Sequence, residues 1–195
     1  MPLLSFLLFV LVSSFTPGLN NFMAMSFANK YGFKKTIEYS LGVAAGFFIL
    51  TLICSLFNLL LINILPKIEL PLTILGVSYM LYLAYKVLLS IDNNSEQREN
   101  SDKKLFVIGV LVQFINPKGI LYGITVVSTF ILPYYTSYFS YVIFSLFLGF
   151  IGLISSASWS LFGSFFQKAL SQYRMLFNVI MALLLVYSAI SIALH

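Results

Sequence analysis

The sequence predicts an all-α membrane protein built from six transmembrane helices. Hydrophobic residues make up 60% of the 195 residues, charged residues make up only 9%, and the apolar residues form long runs. A soluble domain carries about 25% charged residues, so this chain lacks the polar surface that water requires. The net charge of +5 is therefore interpreted through membrane topology: the expected surroundings are a lipid bilayer, and no nucleic-acid partner is expected.

Six apolar runs approach or exceed the about 20 residues that an α-helix needs to cross a bilayer. They cover residues 3–28, 36–62, 71–90, 105–131, 138–163 and 174–194. The first and fourth runs are long, as expected if each contains a broken or tilted helix. The first run has no basic start and no cleavage site before Thr16, so we expect a retained helix and not a signal peptide.

The fourth run is interrupted by Asn116-Pro117-Lys118. A proline inside a helix removes a backbone hydrogen bond and clashes with the preceding turn, so the helix kinks or restarts. Asn is a favoured N-cap residue and Pro is favoured at the first helical position, so this order predicts that a new half-helix begins here. The free N–H groups of its first turn, beside the charge of Lys118, would attract an anion.

The first run contains a similar element, Thr16-Pro17-Gly18. Thr16 is expected to cap, and Pro17 to lead, the second half of a helix broken in the same way. Ordinary packing kinks are the alternative, because prolines are common in transmembrane helices. Two such elements, each in the first run of its half, favour a binding centre made by discontinuous helices.

A hydrophilic segment, residues 91–104, separates two halves of three runs each. We interpret residues 1–90 and 105–195 as two repeats joined by a solvated cytoplasmic linker. An odd number of spans per half reverses the direction of the second half. The halves are therefore predicted to form a 3+3 inverted repeat, broken at Pro17 and Pro117, with the two breaks meeting near the membrane midplane.

The distribution of Lys and Arg predicts the orientation of the helices. Nine basic residues flank the loops after runs one, three and five, whereas only Lys67 lies near the opposite loops. The nine are Lys30, Lys34, Lys35, Lys86, Arg98, Lys103, Lys104, Lys168 and Arg174. By the positive-inside rule these loops lie in the cytoplasm of a bacterial inner-membrane protein, and both termini lie outside.

Lys118 is the most unusual polar residue, because it lies about 13 residues, or roughly 20 Å, from either end of its run. A charge this deep costs roughly 3 kcal/mol or more and normally has a partner or a water-filled cavity. The acidic candidates, Glu38 and Glu69, lie near the ends of spans. We expect Lys118 to meet a substrate carboxylate, water or backbone carbonyls, with snorkelling to an interface as the alternative.

Other polar residues lie close to the two breaks. After Pro117, one helix face carries Lys118, Tyr122, Thr125 and Thr129. The amides of Asn20, Asn21 and Gln113 can both donate and accept, as a zwitterion requires, and structural bonding between helices is their alternative role. The predicted substrate-binding set comprises Thr16, Pro17, Gly18, Asn20, Asn21, Gln113, Asn116, Pro117, Lys118 and Tyr122.

Small residues form two further faces, which we interpret as surfaces for close helix packing. Run two carries Gly42 and Gly46. Run five carries Gly149, Gly152, Ser156, Ser160 and Gly163 at helical spacing.

The sequence contains no group of residues typical of an enzyme active site. The single histidine is His195, and a single cysteine, Cys54, excludes both a disulfide within one chain and a two-cysteine redox shuttle. No set of carboxylates or thiolates at the midplane is available for a metal ion. We therefore expect neither an enzyme nor a cofactor, and we interpret Cys54 as a small packing residue.

These motifs resemble those of the lysine and threonine exporter superfamily, small six-helix amino-acid efflux proteins of bacterial inner membranes. The family's first-helix motif stands here as Thr16-Pro17-Gly18-Leu19-Asn20, followed by the Gly42/Gly46 pair, and its fourth-helix motif stands as Asn116-Pro117-Lys118. Leu19 departs from the family, which usually has a second proline at this position. The match runs nearly end to end.

Within that superfamily the chain is most similar to the subgroup that exports cysteine and O-acetylserine, through runs such as Ile120-Leu121-Tyr122-Gly123 and Ser128-Thr129-Phe130. The resemblance implies a secondary exporter of small neutral amino acids, coupled to the proton gradient. Export of homoserine or threonine is the alternative within transport. A membrane thiol oxidoreductase and a non-transporting assembly subunit are remote alternatives. The expected partners are a small amino acid, the bilayer and, as a candidate, further copies of the chain in a homo-oligomer.

Overall fold

A computed structural model describes residues 1–89, 104–165 and 174–193, and every regular element in this part of the chain is helical. The helices are α1 (Leu3–Phe15), α2 (Leu19–Tyr31), α3 (Phe33–Leu56), α4 (Asn58–Leu89), α5 (Leu105–Ile115), α6 (Pro117–Val126), α7 (Tyr138–Phe165) and α8 (Arg174–Ala193). Helix α6 passes directly into a π-helical turn, Val127–Ile131. The predicted linker, residues 91–104, lies outside the described residues apart from Lys104.

Both predicted breaks are present. The axes of α1 and α2 differ by 47°, and α5 is bent by 68° from the helical stretch that begins at Pro117. The residues that precede the two prolines have extended backbones, with ψ angles of 139° at Thr16 and 105° at Asn116. A proline ring crowds the helical conformation of the residue before it, so each Xaa-Pro pair ends the helix that precedes it.

The capping roles differ from those predicted. At the second break α6 begins at Pro117 as expected, but the side chain of Asn116 makes no capping hydrogen bond. At the first break the prediction was wrong: α2 begins at Leu19 with Gly18 as its N-cap, and Thr16 terminates α1. The Thr16 hydroxyl donates backwards to the carbonyl of Val12, so it is not available to cap α2.

The region between the second and third apolar runs also differs from the prediction. Helix α3 ends at Leu56, and after Phe57 a single helix, α4, extends from Asn58 to Leu89 where a turn was expected between residues 62 and 71. Pro66 and Pro71 both lie inside this helix. A proline removes one backbone hydrogen bond but does not by itself end a helix. The boundary between the second and third helices was therefore predicted too far along the chain.

Two helices, α3 and α7, are each long and apolar enough to cross a membrane alone. The two bent pairs would each add a further span, which gives up to four candidate spans within the described residues. Shorter apolar helical stretches cover Thr73–Tyr85 and Asn178–Ile190. Six spans and the 3+3 inverted repeat therefore stay predictions.

Helix α3 packs against α5 and α7 through glycines. A Cβ atom built on Gly42 would lie 2.1 Å from the carbonyl oxygen of Phe106, and one on Gly109 would lie 2.3 Å from that of Tyr39. On the α7 side, the Ser40 and Ser156 hydroxyls are 2.9 Å apart. These contacts agree with the packing role predicted for the small-residue faces, because only small side chains let helix backbones approach this closely.

The packing clusters define two ends of the bundle. At one end, Met1 packs against an apolar cluster that contains Phe6, Ile131 and Tyr141. At the other end, the start of α5 at Leu105 packs in one cluster with residues of α2 and α3. Helices α4 and α8 pack against each other through a third cluster, which contains Ala84, Ala182 and Leu185.

Candidate functional site

A cavity of about 50 Å³ lies where the two helix breaks face each other. A buried water needs about 10–15 Å³ on this measure, so the space holds roughly four waters, which suits a small organic molecule. Its walls come from α1, α2, α3, α5, α6 and α7. The lining residues are Ser13, Ser14, Gly18, Leu19, Asn20, Asn21, Val43, Phe47, Gln113, Asn116, Lys118, Gly119, Tyr122, Gly152 and Ser155.

Lys118 crosses from the second break to the first. Its Nζ atom donates to the carbonyl oxygens of Thr16 at 2.9 Å and Pro17 at 3.3 Å. These carbonyls lack a helical partner because α1 has ended, so the ammonium satisfies acceptors that the break leaves open. The expectation that Lys118 meets backbone carbonyls is confirmed, and snorkelling is not observed.

The first break receives a second donor from α8. The Ser188 hydroxyl donates to the carbonyl oxygen of Pro17 at 3.1 Å. Within the described residues, the one ion pair joins Lys35 to Glu38 at 2.7 Å on the surface, away from Lys118. The cation of Lys118 is thus held by neutral carbonyl dipoles, which leave its charge uncompensated.

Four amide side chains line the cavity, among them those of Asn20, Gln113 and Asn116. Asn20 donates to Oε1 of Gln113 at 2.8 Å, and Gln113 donates in turn to the carbonyl oxygen of Gly109 at 3.0 Å. This chain of bonds orients Asn20 so that its own Oδ1 has no partner. The Oδ1 atom of Asn116, a residue only 3% exposed, also has no partner. Two residues that line the cavity therefore carry a buried acceptor without a donor.

Asn21 has a different environment. Its Nδ2 atom donates to the carbonyls of Ser14 at 2.9 Å and Thr16 at 3.0 Å, and Oγ of Ser155 lies 3.3 Å from its Oδ1. Ser155 also donates to the carbonyl of Ser14 at 2.7 Å. The Nδ2 atom of Asn21 thus holds the end of α1, as in the structural alternative stated for these amides.

Tyr122 forms one side of the cavity. Its hydroxyl lies 3.2 Å from Oγ of Ser14, and its ring stacks on Phe47 with the centroids 4.9 Å apart. The polar face predicted beyond it does not continue into the cavity, because Thr125 and Thr129 are exposed. Thr129 lies in the π-helical turn, whose wider repeat departs from the spacing assumed for an α-helix.

Seven of the ten predicted site residues line the cavity: Gly18, Asn20, Asn21, Gln113, Asn116, Lys118 and Tyr122. Thr16 and Pro17 contribute only the carbonyls that hold Lys118, and Pro117 starts α6. Sequence reasoning missed the lining residues Ser13, Ser14, Leu19, Val43, Phe47, Gly119, Gly152 and Ser155. A signal existed for Gly152, which belongs to the small-residue face of run five, but that face was assigned to packing alone.

The described residues contain no group of three or more His, Cys, Asp or Glu side chains that could hold a metal ion. Cys54 is buried and free. The cavity itself is lined by hydroxyls, amides, one ammonium and apolar groups. Such a set can hold a polar solute by hydrogen bonds and charge, and it presents no general acid and base pair for hydrolysis.

Comparison with known proteins decides the class. The family model for LysE type translocators matches residues 11–195. The chain belongs to the LysE translocator family. This LysE translocator is a transporter and not an enzyme, and the membrane character and family predicted from its sequence are confirmed.

The curated relatives agree with that assignment. The LysE translocator is 38% identical over 196 residues to the cysteine/O-acetylserine efflux protein of Salmonella choleraesuis, which covers 98% of this chain and 97% of the relative. It is 36% identical over 188 residues to the protein of the same name from Escherichia coli K12, with 96% and 95% covered. No solved structure gives a significant match.

Proposed function

We propose that this LysE translocator is an inner-membrane secondary exporter of small neutral amino acids, foremost cysteine and O-acetylserine. The observation that carries the proposal is one small cavity that combines the Lys118 ammonium with the unpartnered carbonyl oxygens of Asn20 and Asn116. A cation and two neutral acceptors complement the two ends of an amino-acid zwitterion. The names of the curated relatives support the choice of substrates.

The carboxylate of the substrate binds at Lys118. The ammonium now donates to the carbonyls of Thr16 and Pro17. A carboxylate is a stronger acceptor than these neutral carbonyls because its full negative charge attracts the ammonium as well. The start of α6 adds to this attraction, because Gly119 lines the cavity and the N–H groups of a first helical turn have no partner within the helix.

The ammonium of the substrate binds the amide oxygens. Oδ1 of Asn20 and Oδ1 of Asn116 are buried acceptors without donors, and a buried acceptor without a donor costs about 1–3 kcal/mol. A substrate ammonium supplies these hydrogen bonds. No carboxylate side chain lines the cavity, so a substrate with a second positive charge, such as lysine, would bring that charge next to Lys118 without compensation.

Transport proceeds by alternating access of the two three-helix halves, with the helix breaks as the shared binding centre. The cytoplasmic face holds the basic loops, and both termini are periplasmic. We expect the proton gradient to drive export. Inside-out membrane vesicles that contain the protein should accumulate labelled cysteine on addition of an energy source and lose it when a protonophore is added. Accumulation that is insensitive to the protonophore would contradict proton coupling.

The substrate assignment is tested by export from intact cells. Cells that overproduce the protein are supplied with precursors of cysteine, O-acetylserine, homoserine and threonine, and each amino acid is measured in the medium. We expect cysteine and O-acetylserine to rise. A rise confined to homoserine or threonine would support the alternative substrates, and no rise with the protein in the membrane would overturn the proposal.

The same assay tests the role of the cation. Lys118→Met should reduce export at least about tenfold, because hydrogen bonds to charged groups contribute about 1.5–3 kcal/mol. The matched control is Lys34→Met, since Lys34 is exposed at the start of α3. The control should export like the unmodified protein.

A further inference from the structure

We propose that Gly152, on the inner face of α7, determines the size of the amino-acid side chain that the cavity accepts. This inference rests on the function proposed above, because it assigns one wall of the same cavity to the substrate side chain. Gly152 lines the cavity, and nothing in its packing requires a glycine.

The surroundings of Gly152 differ from those of its neighbours on α7. A Cβ atom built on Gly152 meets no atom closer than Cγ1 of Val43, at 3.9 Å. A Cβ on Gly149 would lie 2.9 Å from the carbonyl oxygen of Ala44, and one on Gly163 would lie 2.5 Å from that of Met25. Residues 149 and 163 thus have to be glycine because the backbone of another helix lies too close for a side chain. The absent side chain of Gly152 leaves space that belongs to the cavity.

The lining of the cavity indicates what fills that space. Asn116 lines the cavity, is 3% exposed and carries an Oδ1 atom without a partner, and Lys118 supplies the cation. Once these groups hold the ammonium and carboxylate ends of a substrate, the apolar wall of Val43, Phe47 and Gly152 is left for its side chain. The ring of Phe47 in this wall stacks on the ring of Tyr122, which also lines the cavity.

Because the cavity is small, a side chain added at residue 152 should strongly affect which substrates fit. A methyl group is about as large as a water molecule, so in a cavity of about 50 Å³ it removes roughly a quarter of the space. Cysteine extends past its Cβ atom by a single sulfur atom, whereas O-acetylserine extends by an acetyl ester. A methyl group at residue 152 therefore excludes O-acetylserine before it excludes cysteine.

The test is the ratio of O-acetylserine to cysteine exported by cells that produce Gly152→Ala or Gly152→Val, normalised to the amount of protein in the membrane. The ratio should fall about tenfold for Gly152→Ala, the usual discrimination for one methyl or methylene group in a pocket, and further for Gly152→Val. Gly123→Ala is the matched control. A Cβ there meets the side chains of Leu50 at 3.6 Å and Thr51 at 3.7 Å, which are ordinary contact distances. Gly123 is not among the residues that line the cavity, so the ratio should stay unchanged.

The outcomes separate this inference from the proposed function. If the unmodified protein exports neither amino acid, the proposed function fails. If it exports both and Gly152→Val leaves the ratio unchanged or lowers both rates equally, the role of Gly152 is overturned. Loss of Gly152→Ala protein from the membrane while Gly123→Ala persists also overturns it, because open space at this position should tolerate a methyl group.

Discussion

At the scale of single residues, the cavity contains two kinds of asparagine. Asn21 donates through its Nδ2 atom to two carbonyls at the end of α1, whereas Asn116 has an oxygen with no partner and makes no capping bond to α6. The sequence could nominate both residues because they adjoin the breaks. It could not assign their roles, since one neighbour of the Asn21 amide is Ser155, which lies on a helix distant in sequence.

Alanine substitution at the two asparagines should therefore separate stability from transport. Asn21→Ala removes the donor from two carbonyls of α1 and should lower the free energy of unfolding by roughly 1–2 kcal/mol. Asn116→Ala breaks no hydrogen bond of its Oδ1 atom, so it should leave stability nearly unchanged while it lowers cysteine export. Thermal unfolding of the purified proteins, together with the export assay, measures both effects. Equal destabilisation by the two variants would contradict these roles.

At the scale of helices, the break at Pro117 follows from local sequence, because proline dictates both its own position at a helix start and the extended residue before it. The break at Pro17 follows only in part. Thr16 has a hydroxyl that can cap the next helix or bond back to the previous turn, and local sequence does not distinguish these. The prolines of α4 show the same limit, since a helix passes through Pro66 and Pro71.

The contact between α3 and α5 gives the sharpest expectation at this scale. Gly42→Ala places a methyl group 2.1 Å from the carbonyl oxygen of Phe106, which is backbone and cannot rotate away. The helices must separate, and overpacking of this kind costs typically about 1–3 kcal/mol. We expect a lower midpoint of thermal unfolding and less protein in the membrane, with Gly123→Ala as the matched control. A Gly42→Ala protein as stable as the control would refute the close approach of α3 and α5.

At the scale of the whole molecule, the helix packing is consistent with the predicted topology. Met1 packs against the cluster that contains Ile131 and Tyr141 at one end of the bundle, and Leu105 packs with residues of α2 and α3 at the other. The positive-inside pattern assigns the second end to the cytoplasm. Composition could predict the membrane class, and the orientation inferred from the charges stays a prediction. The contacts between distant helices could not be predicted, because they depend on long-range packing.

Labelling of single cysteines tests the orientation. In a Cys54→Ala background, Ser137→Cys should react with a membrane-impermeant maleimide in intact cells, because Ser137 is exposed in the turn before α7. Lys34→Cys should react only after the membrane is permeabilised. The reverse pattern would place the termini in the cytoplasm and contradict the predicted topology.

The central claim is that the cavity recognises a zwitterion at both ends, and direct binding to the purified protein tests it. Calorimetric titration should compare cysteine with cysteine methyl ester, which lacks the carboxylate, and with 3-mercaptopropionate, which lacks the ammonium. We expect each analogue to bind at least about tenfold more weakly than cysteine. The Lys118→Met protein should bind cysteine no more tightly than the unmodified protein binds the methyl ester. If Lys118→Met binds cysteine as tightly as the unmodified protein does, Lys118 does not hold the carboxylate and the account of the site is wrong.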